Sequence, residues 1–273
     1  MTTAGVEDPF TEGVLGWNLC EVPPWVIASE AFNRRPRPLE LPGVRKADRR
    51  LFEKLDTLPD PAERGRVFHE YLEVKFSLHQ WAEYQGLSRR SLRNSYVRFL
   101  NGWARDSNGV EGAVLKSWVQ SRFGVVPTYH GGVLDPTLNG EDQQFAIDRM
   151  KGRRRTNAID MQLDLLYTFC QDELTRRWPD RETLILYRGT NDPEEHPCRR
   201  VIDRQRSCLR LNNLISFTTN RETAWEFGST VWETRVAHSK IIFFSGLLPS
   251  SILQGESEYL VVGGDYTVRE LLY

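Results

Sequence analysis

The stretch Arg177-Trp178-Pro179-Asp180-Arg181-Glu182-Thr183-Leu184-Ile185-Leu186-Tyr187-Arg188-Gly189-Thr190 separates two kinds of sequence pattern. From about Arg45 up to Arg177 the apolar residues recur every three or four positions, the period of a helix with one buried face. Pro179 cannot continue a helix, because it lacks the amide proton and its ring clashes with the preceding turn. Beyond it the apolar residues come in short runs rich in β-branched and aromatic types, the composition of strands.

Upstream, Val67, Phe68, Tyr71, Leu72, Val74, Lys75, Phe76 and Leu78 predict a helix opened by Pro61. Ser88 reads as the N-cap of a second helix carrying Leu92, Tyr96, Phe99, Leu100 and Trp103. Further helices are expected over 109–123, 141–150 and 158–178. Downstream, strands are expected over 183–187, 214–217, 229–236, 240–244, 259–262 and 266–272. One helix, 221–227, interrupts them, with Asn220 as its cap. The fold class is therefore α+β: a helical N-terminal portion packed on a mostly antiparallel β core. The expected organisation is an extended segment over 1–44, a helical region over 45–180 and a β-rich core over 181–273, forming one integrated domain.

Composition narrows the function classes. In 273 residues, 36 Lys and Arg nearly cancel 37 Asp and Glu, so no net field draws in nucleic acid or an anionic membrane. No stretch reaches the roughly 18 apolar residues of a membrane span, and the first residues do not resemble a signal peptide. Cys20, Cys170, Cys198 and Cys208 form no Cys-x-x-Cys pair, which suits a reducing cytoplasm and argues against a zinc site.

Three clusters in the β-rich half carry candidate chemistry. In Leu186-Tyr-Arg188-Gly-Thr190, the planar arginine fork can hold a phosphate or carboxylate, and Gly189 lets the backbone approach a ligand. Alone, a surface ion pair is the commoner use of such an arginine. In Ile215-Ser216-Phe217-Thr218-Thr219-Asn220, alternate strand positions share a face, so Ser216 and Thr218 point the same way. They suit a carboxylate or a ribose, and equally a cross-strand hydroxyl pair. In Gln254-Gly255-Glu256-Ser257-Glu258-Tyr259, an extended backbone sends Glu256 and Glu258 to one side, where two like charges are costly and easier to understand in a site, although alone an exposed Glu-x-Glu pair is common.

The order of the three resembles the Arg–Ser–Glu motif set of the cholera-toxin-like ADP-ribosyltransferases. The resemblance places Arg188 first, Ser216 with Thr218 second, and Glu258 as that family's invariant glutamate. Glu256 falls where arginine-specific members carry glutamate. The family's usual Ser-Thr-Ser stands here as Ser216-Phe-Thr218-Thr219. More narrowly, Leu186-Tyr-Arg-Gly-Thr-Asn-Asp192 and Leu214-Ile-Ser-Phe-Thr-Thr-Asn-Arg-Glu-Thr-Ala224 make the chain similar, over essentially its whole length, to the dinitrogenase reductase ADP-ribosyltransferases of nitrogen-fixing bacteria.

That resemblance implies NAD as substrate, an arginine of dinitrogenase reductase as acceptor, and control by a PII-type nitrogen-signalling protein. Glu258 is then expected to stabilise positive charge on the ribose as nicotinamide departs, with Ser216 orienting it. Arg188 and the Gly189 backbone are expected to hold NAD, with Phe217 or Phe227 stacking on one of its rings. Glu256 is expected to dock the acceptor guanidinium and assist its deprotonation. Two other readings stay open: an NAD glycohydrolase, with water as acceptor, and a non-catalytic regulator that senses NAD. Neither Gly131-Gly132 nor Gly263-Gly264, both read as loop or turn glycines, belongs to a dinucleotide-fold or Walker fingerprint. The run 151–155 reads as a solvated connection, and Asp135 to Gly140 lacks the glutamate that a calcium loop requires.

Overall fold

Among the described residues helices predominate as far as Arg177, and strands predominate after it. The computed structural model describes residues 13–78, 95–134, 143–154, 156, 158–250 and 258–271. The helices are α1 Pro24–Ile27, α2 Glu30–Arg34, α3 Val44–Ala47, α4 Arg49–Asp56, α5 Pro61–Lys75, α6 Tyr96–Arg105, α7 Val110–Phe123, α8 Gln143–Arg154 and α9 Ile159–Arg177. A short hairpin, β1 Thr128–Tyr129 and β2 Gly132–Val133, comes after α7. Then come β3 Thr183–Thr190, β4 Cys198–Val201, β5 Arg206–Thr218, α10 Arg221–Glu226, β6 Thr230–Ala237, β7 Ile241–Phe244 and β8 Glu258–Leu271.

Local chemistry explains the helix starts. Pro61 sits in the first turn of α5, where its missing amide proton costs nothing, and the Asp60 side chain accepts from the amides of Ala62 and Glu63. Asn220 caps α10 in the same way, accepting from Glu222 and Thr223. The expected Ser88 cap lies outside the described residues. Residues 13–44 are less extended than expected: α1 and α2 each make about one turn there, and Ser29 caps the second.

The large sheet runs β4-β5-β3-β6-β8-β7, all antiparallel, and β8 also pairs with β5. Strands β5, β3, β6 and β8 thereby close a ring. One buried apolar cluster runs from Val14 to Val268 and draws on both the helices and the sheet. Within it Phe68 and Phe169 stack at 4.3 Å, each contributing about 1.5–3 kcal/mol by burial. Helix α9 is keyed to β7 and the turn before it by polar contacts, since Gln171 Nε2 donates to the Ile241 carbonyl at 2.8 Å and Tyr167 Oη to that of Ser239 at 2.8 Å. Among the described residues no helix is long and apolar enough to cross a membrane.

Two expectations about the strands need correction. Strands 259–262 and 266–272 are one continuous strand, β8, and Gly263-Gly264 lies inside it instead of in a turn. Gly264 is needed because its φ is +114° and the Ala28 carbonyl oxygen would lie 2.5 Å from a Cβ, and Gly263 because β5 bulges between Leu211 and Leu214. A Cβ on Gly263 would sit 1.7 Å from the Asn212 carbonyl oxygen, so only glycine admits the bulge. Likewise β5 reaches back to Arg206, well before the expected start at 214, and pairs there with β4, which the pattern did not announce. Arginines and asparagines in these segments hide the apolar alternation. All four cysteines are free, and Cys198 stands opposite Leu209 in the ladder instead of Cys208.

Candidate active site

Strand β3 pairs with β6 along its full length but touches β5 at one position, Tyr187 opposite Thr218. Past that pair the two strands diverge, and a cleft of about 1390 Å³ lies against the parting. Its walls include Arg188, Gly189, Ser216, Glu258, Phe227 and, from α6, Trp103.

The ladder sets the geometry. Thr218 of β5 stands opposite Glu258 of β8, and Ser216 opposite Leu260. Arg188, one residue beyond the contact of β3 with β5, bridges the gap with its guanidinium, as Nη1 donates to the Ser216 carbonyl at 3.0 Å. Ser216 Oγ donates to Glu258 Oε1 at 2.7 Å and accepts from Trp103 Nε1 at 2.8 Å. Ser245 clamps the Glu258 backbone from both sides: its Oγ accepts from the Glu258 amide at 2.9 Å, and its own amide donates to the Glu258 carbonyl at 2.8 Å. Arg188, Ser216 and Glu258 thus meet from three different strands.

Electrostatics reflect this partial burial. Desolvation pushes the Glu258 carboxyl above its ordinary 4.5, while the Ser216 hydroxyl and the Arg188 charge pull it back. Burial lowers the Arg188 guanidinium to about 10, against the opposing pull of Glu195 and Glu258. Its Nε is buried and has no partner among the described residues. A buried donor of that kind is costly unless a ligand satisfies it, and an anionic or hydroxyl-rich ligand fits. His196 also lines the cleft and is held neutral, its pKa lowered to about 4 first by burial and then by Arg188.

The other expected site residues take varied places. Thr218 is buried beside Glu258, and its Oγ1 accepts from the Asn220 amide, so the hydroxyl also braces the turn into α10. Phe217 is buried in the core, tilted against Tyr266, and also lines the cleft, whereas Phe227 is 63% exposed on the cleft wall and offers the more accessible ring. Glu256 lies outside the described residues. Gly189 has a reason of its own: a Cβ there would sit 1.8 Å from the Ala224 carbonyl oxygen, so the close docking of α10 already requires glycine. Gly189→Ala is expected to force β3 and α10 apart, costing about 3 kcal/mol or more by overpacking and lowering activity with it. Chemical denaturation checks this, and a loss below about 0.5 kcal/mol contradicts the packing argument.

Comparison with known proteins bears on the whole chain. Residues 17–270 match the family described as dinitrogenase reductase ADP-ribosyltransferase (DRAT). The chain belongs to that family. Its similarity to the NAD(+)--dinitrogen-reductase ADP-D-ribosyltransferase of Rhodospirillum rubrum is 42% identity over 257 residues, covering 92% of this chain and 93% of that one. No solved structure shows a significant match.

For a dinitrogenase reductase ADP-ribosyltransferase, the residue that sequence reasoning passed over is Trp103. Its spacing marks it as one more apolar position on α6, indistinguishable from Phe99 or Leu100. The available signal was chemical: a buried indole N–H needs an acceptor, and the apolar pattern of the helix supplies none. His196 was missed for a similar reason, since nothing in the polar run 191–197 singles it out.

Proposed function

We propose that this member of the dinitrogenase reductase ADP-ribosyltransferases transfers ADP-ribose from NAD to an arginine of dinitrogenase reductase, switching nitrogen fixation off. The observation carrying this is the convergence of Arg188, Ser216 and Glu258 on one cleft. At about 1390 Å³ the cleft exceeds the usual 300–1,000 Å³ of a small-molecule site, leaving room for a dinucleotide and part of an acceptor.

Each residue has a task that its surroundings suit. Glu258 faces the ribose and stabilises the positive charge that grows there as the bond to nicotinamide breaks. Ser216 holds that carboxylate in place through its hydroxyl. Arg188 offers its Nε, unpartnered among the described residues, to the phosphates or ribose of NAD, and Gly189 offers backbone to the carboxamide. Phe227 supplies the stacking ring. Glu256 receives the acceptor guanidinium, whose pKa above about 12 makes it a poor nucleophile until a carboxylate helps remove the proton.

The β-rich part 181–273 acts as the catalytic core, and 45–180 supports it from the same buried cluster. A PII-type nitrogen-signalling protein as regulator and a cytoplasmic location complete the proposal. Four free cysteines in separate surroundings favour a reducing compartment.

The test is incubation with labelled NAD and dinitrogenase reductase. Label on an arginine of the acceptor supports transfer, and free ADP-ribose alone supports hydrolysis. No turnover of either kind supports a regulator that only senses NAD. Glu256→Ala is expected to reduce arginine labelling by about 10²-fold or more while leaving part of the NAD hydrolysis, because acceptor activation is lost but charge stabilisation is not. Equal loss of both activities would contradict this division of roles.

A further inference from the structure

We propose that Trp103 is a positioning residue for catalysis: its indole N–H fixes the Ser216 hydroxyl so that the serine proton points at Glu258. The inference rests on the proposed role of Glu258 and extends it into the helical part of the chain.

An indole N–H can only donate, whereas a serine hydroxyl carries one proton and two lone pairs. Trp103 Nε1 lies 2.8 Å from Ser216 Oγ, so it takes one lone pair and excludes the rotamer that would turn the serine proton toward it. Glu258 Oε1, 2.7 Å away, is then the acceptor that remains for that proton. The bond thereby acquires a direction: tryptophan to serine to carboxylate.

The indole is itself held firmly. Trp103 is 5% exposed, and α6 is clamped to α7 by Arg98, whose Nε and Nη2 donate to Glu111 Oε1 at 2.9 and 2.7 Å. The fully buried Lys116 ammonium lies 6.0 Å from the indole centroid, anchored by the Asn108 side-chain oxygen at 2.7 Å and the Thr128 carbonyl at 2.9 Å. A cation beside an aromatic ring draws on its electrons and favours a stronger N–H donor. The helical region thus sets the orientation of a group in the strand-built site.

Trp103→Phe removes the donor and keeps most of the ring. The expected result is a fall in kcat of about tenfold, the size of one net hydrogen bond, with KM for NAD changed less than about twofold. The acid limb of the kcat profile should move to higher pH, because a loosened serine no longer helps keep the Glu258 carboxylate ionised. In a Ser216→Ala background the same change should add less than about a twofold loss. A wild-type kcat and pH profile in Trp103→Phe overturns the inference, as does an equal tenfold loss in both backgrounds.

A second measurement does not depend on that variant folding. The indole ¹H–¹⁵N resonance of Trp103 should move upfield in Ser216→Ala, and an unmoved resonance also overturns the inference. Glu258→Gln, assayed in parallel, separates the two levels. Wild-type turnover there removes the underlying role of Glu258, whereas an inactive Glu258→Gln beside a normal Trp103→Phe removes only the role of the indole.

Discussion

Glu258→Gln is expected to cut ADP-ribose transfer by about 10²- to 10⁴-fold while KM for NAD stays within a few-fold. The amide keeps the shape and can still accept from Ser216 Oγ, which stands 2.7 Å from Glu258 Oε1. It loses the negative charge, which is valuable chiefly when positive charge develops on the ribose. In the wild-type protein, activity should fall as pH drops through the Glu258 pKa, and that limb should lie above 4.5 because burial raises the group.

Stability should move the other way. A carboxyl whose folded pKa is raised favours the fold below its unfolded pKa and loses that contribution as pH rises through the folded value. Ionised Glu258 therefore costs stability at neutral pH, and Glu258→Gln should unfold at a Tm no lower than wild type at about pH 7. The advantage should vanish below about pH 4, near the unfolded pKa of glutamate. Steady-state assays with labelled NAD and calorimetry at both pH values check the pair of effects. Wild-type turnover in the variant removes Glu258 from the chemistry.

The second large effect is on the fold. Glu173 on α9 is 1% exposed and forms a two-pronged ion pair with the buried Arg64 of α5, its Oε2 lying 2.9 Å from Arg64 Nη2. Arg64 Nη1 is already committed to the carbonyls of Leu58 and Pro59 at 2.8 Å each. Arg176 and Arg177 stand 3.9 and 3.6 Å from the same carboxylate.

Glu173→Ala leaves the Arg64 guanidinium, 5% exposed, without its carboxylate partner, so a loss of about 3 kcal/mol is expected. For a chain of this size that is on the order of a 10 °C drop in Tm. Replacing both partners, Arg64→Met with Glu173→Leu, should recover most of it, because a matched apolar pair carries no desolvation cost. Calorimetry of the single and double variants decides: a loss under about 1 kcal/mol in Glu173→Ala contradicts the argument. The site should feel the change too, since Arg177 also donates to the Gly246 carbonyl at 2.7 Å, and Gly246 lines the cleft.

Much of this architecture was legible in the sequence, and the reasons are local. A helix cap, a proline in a first turn and a three-to-four apolar period act within a few residues, so α5, α7, α9 and α10 could be read directly. Strand alternation likewise put Ser216 and Thr218 on one face. Where local signals conflicted with long-range packing, the expectation failed. Gly263-Gly264 looks like a turn until the Asn212 carbonyl is seen to occupy the place of a side chain. The arginine-rich early part of β5 looks like loop until β8 is laid beside it.

The chain by itself determined the class of fold, the break at Pro179, and the three motifs whose order marks the family. Tertiary structure alone decided that Arg188 reaches the Ser216 carbonyl, and that Phe217 is packed in the core behind the cleft while Phe227 stands exposed on its wall. It also decided that a tryptophan from the helical half holds the serine beside Glu258. Periodicity reports which way a side chain leaves its own helix or strand, whereas a hydrogen bond between residues 113 positions apart depends on how those elements pack.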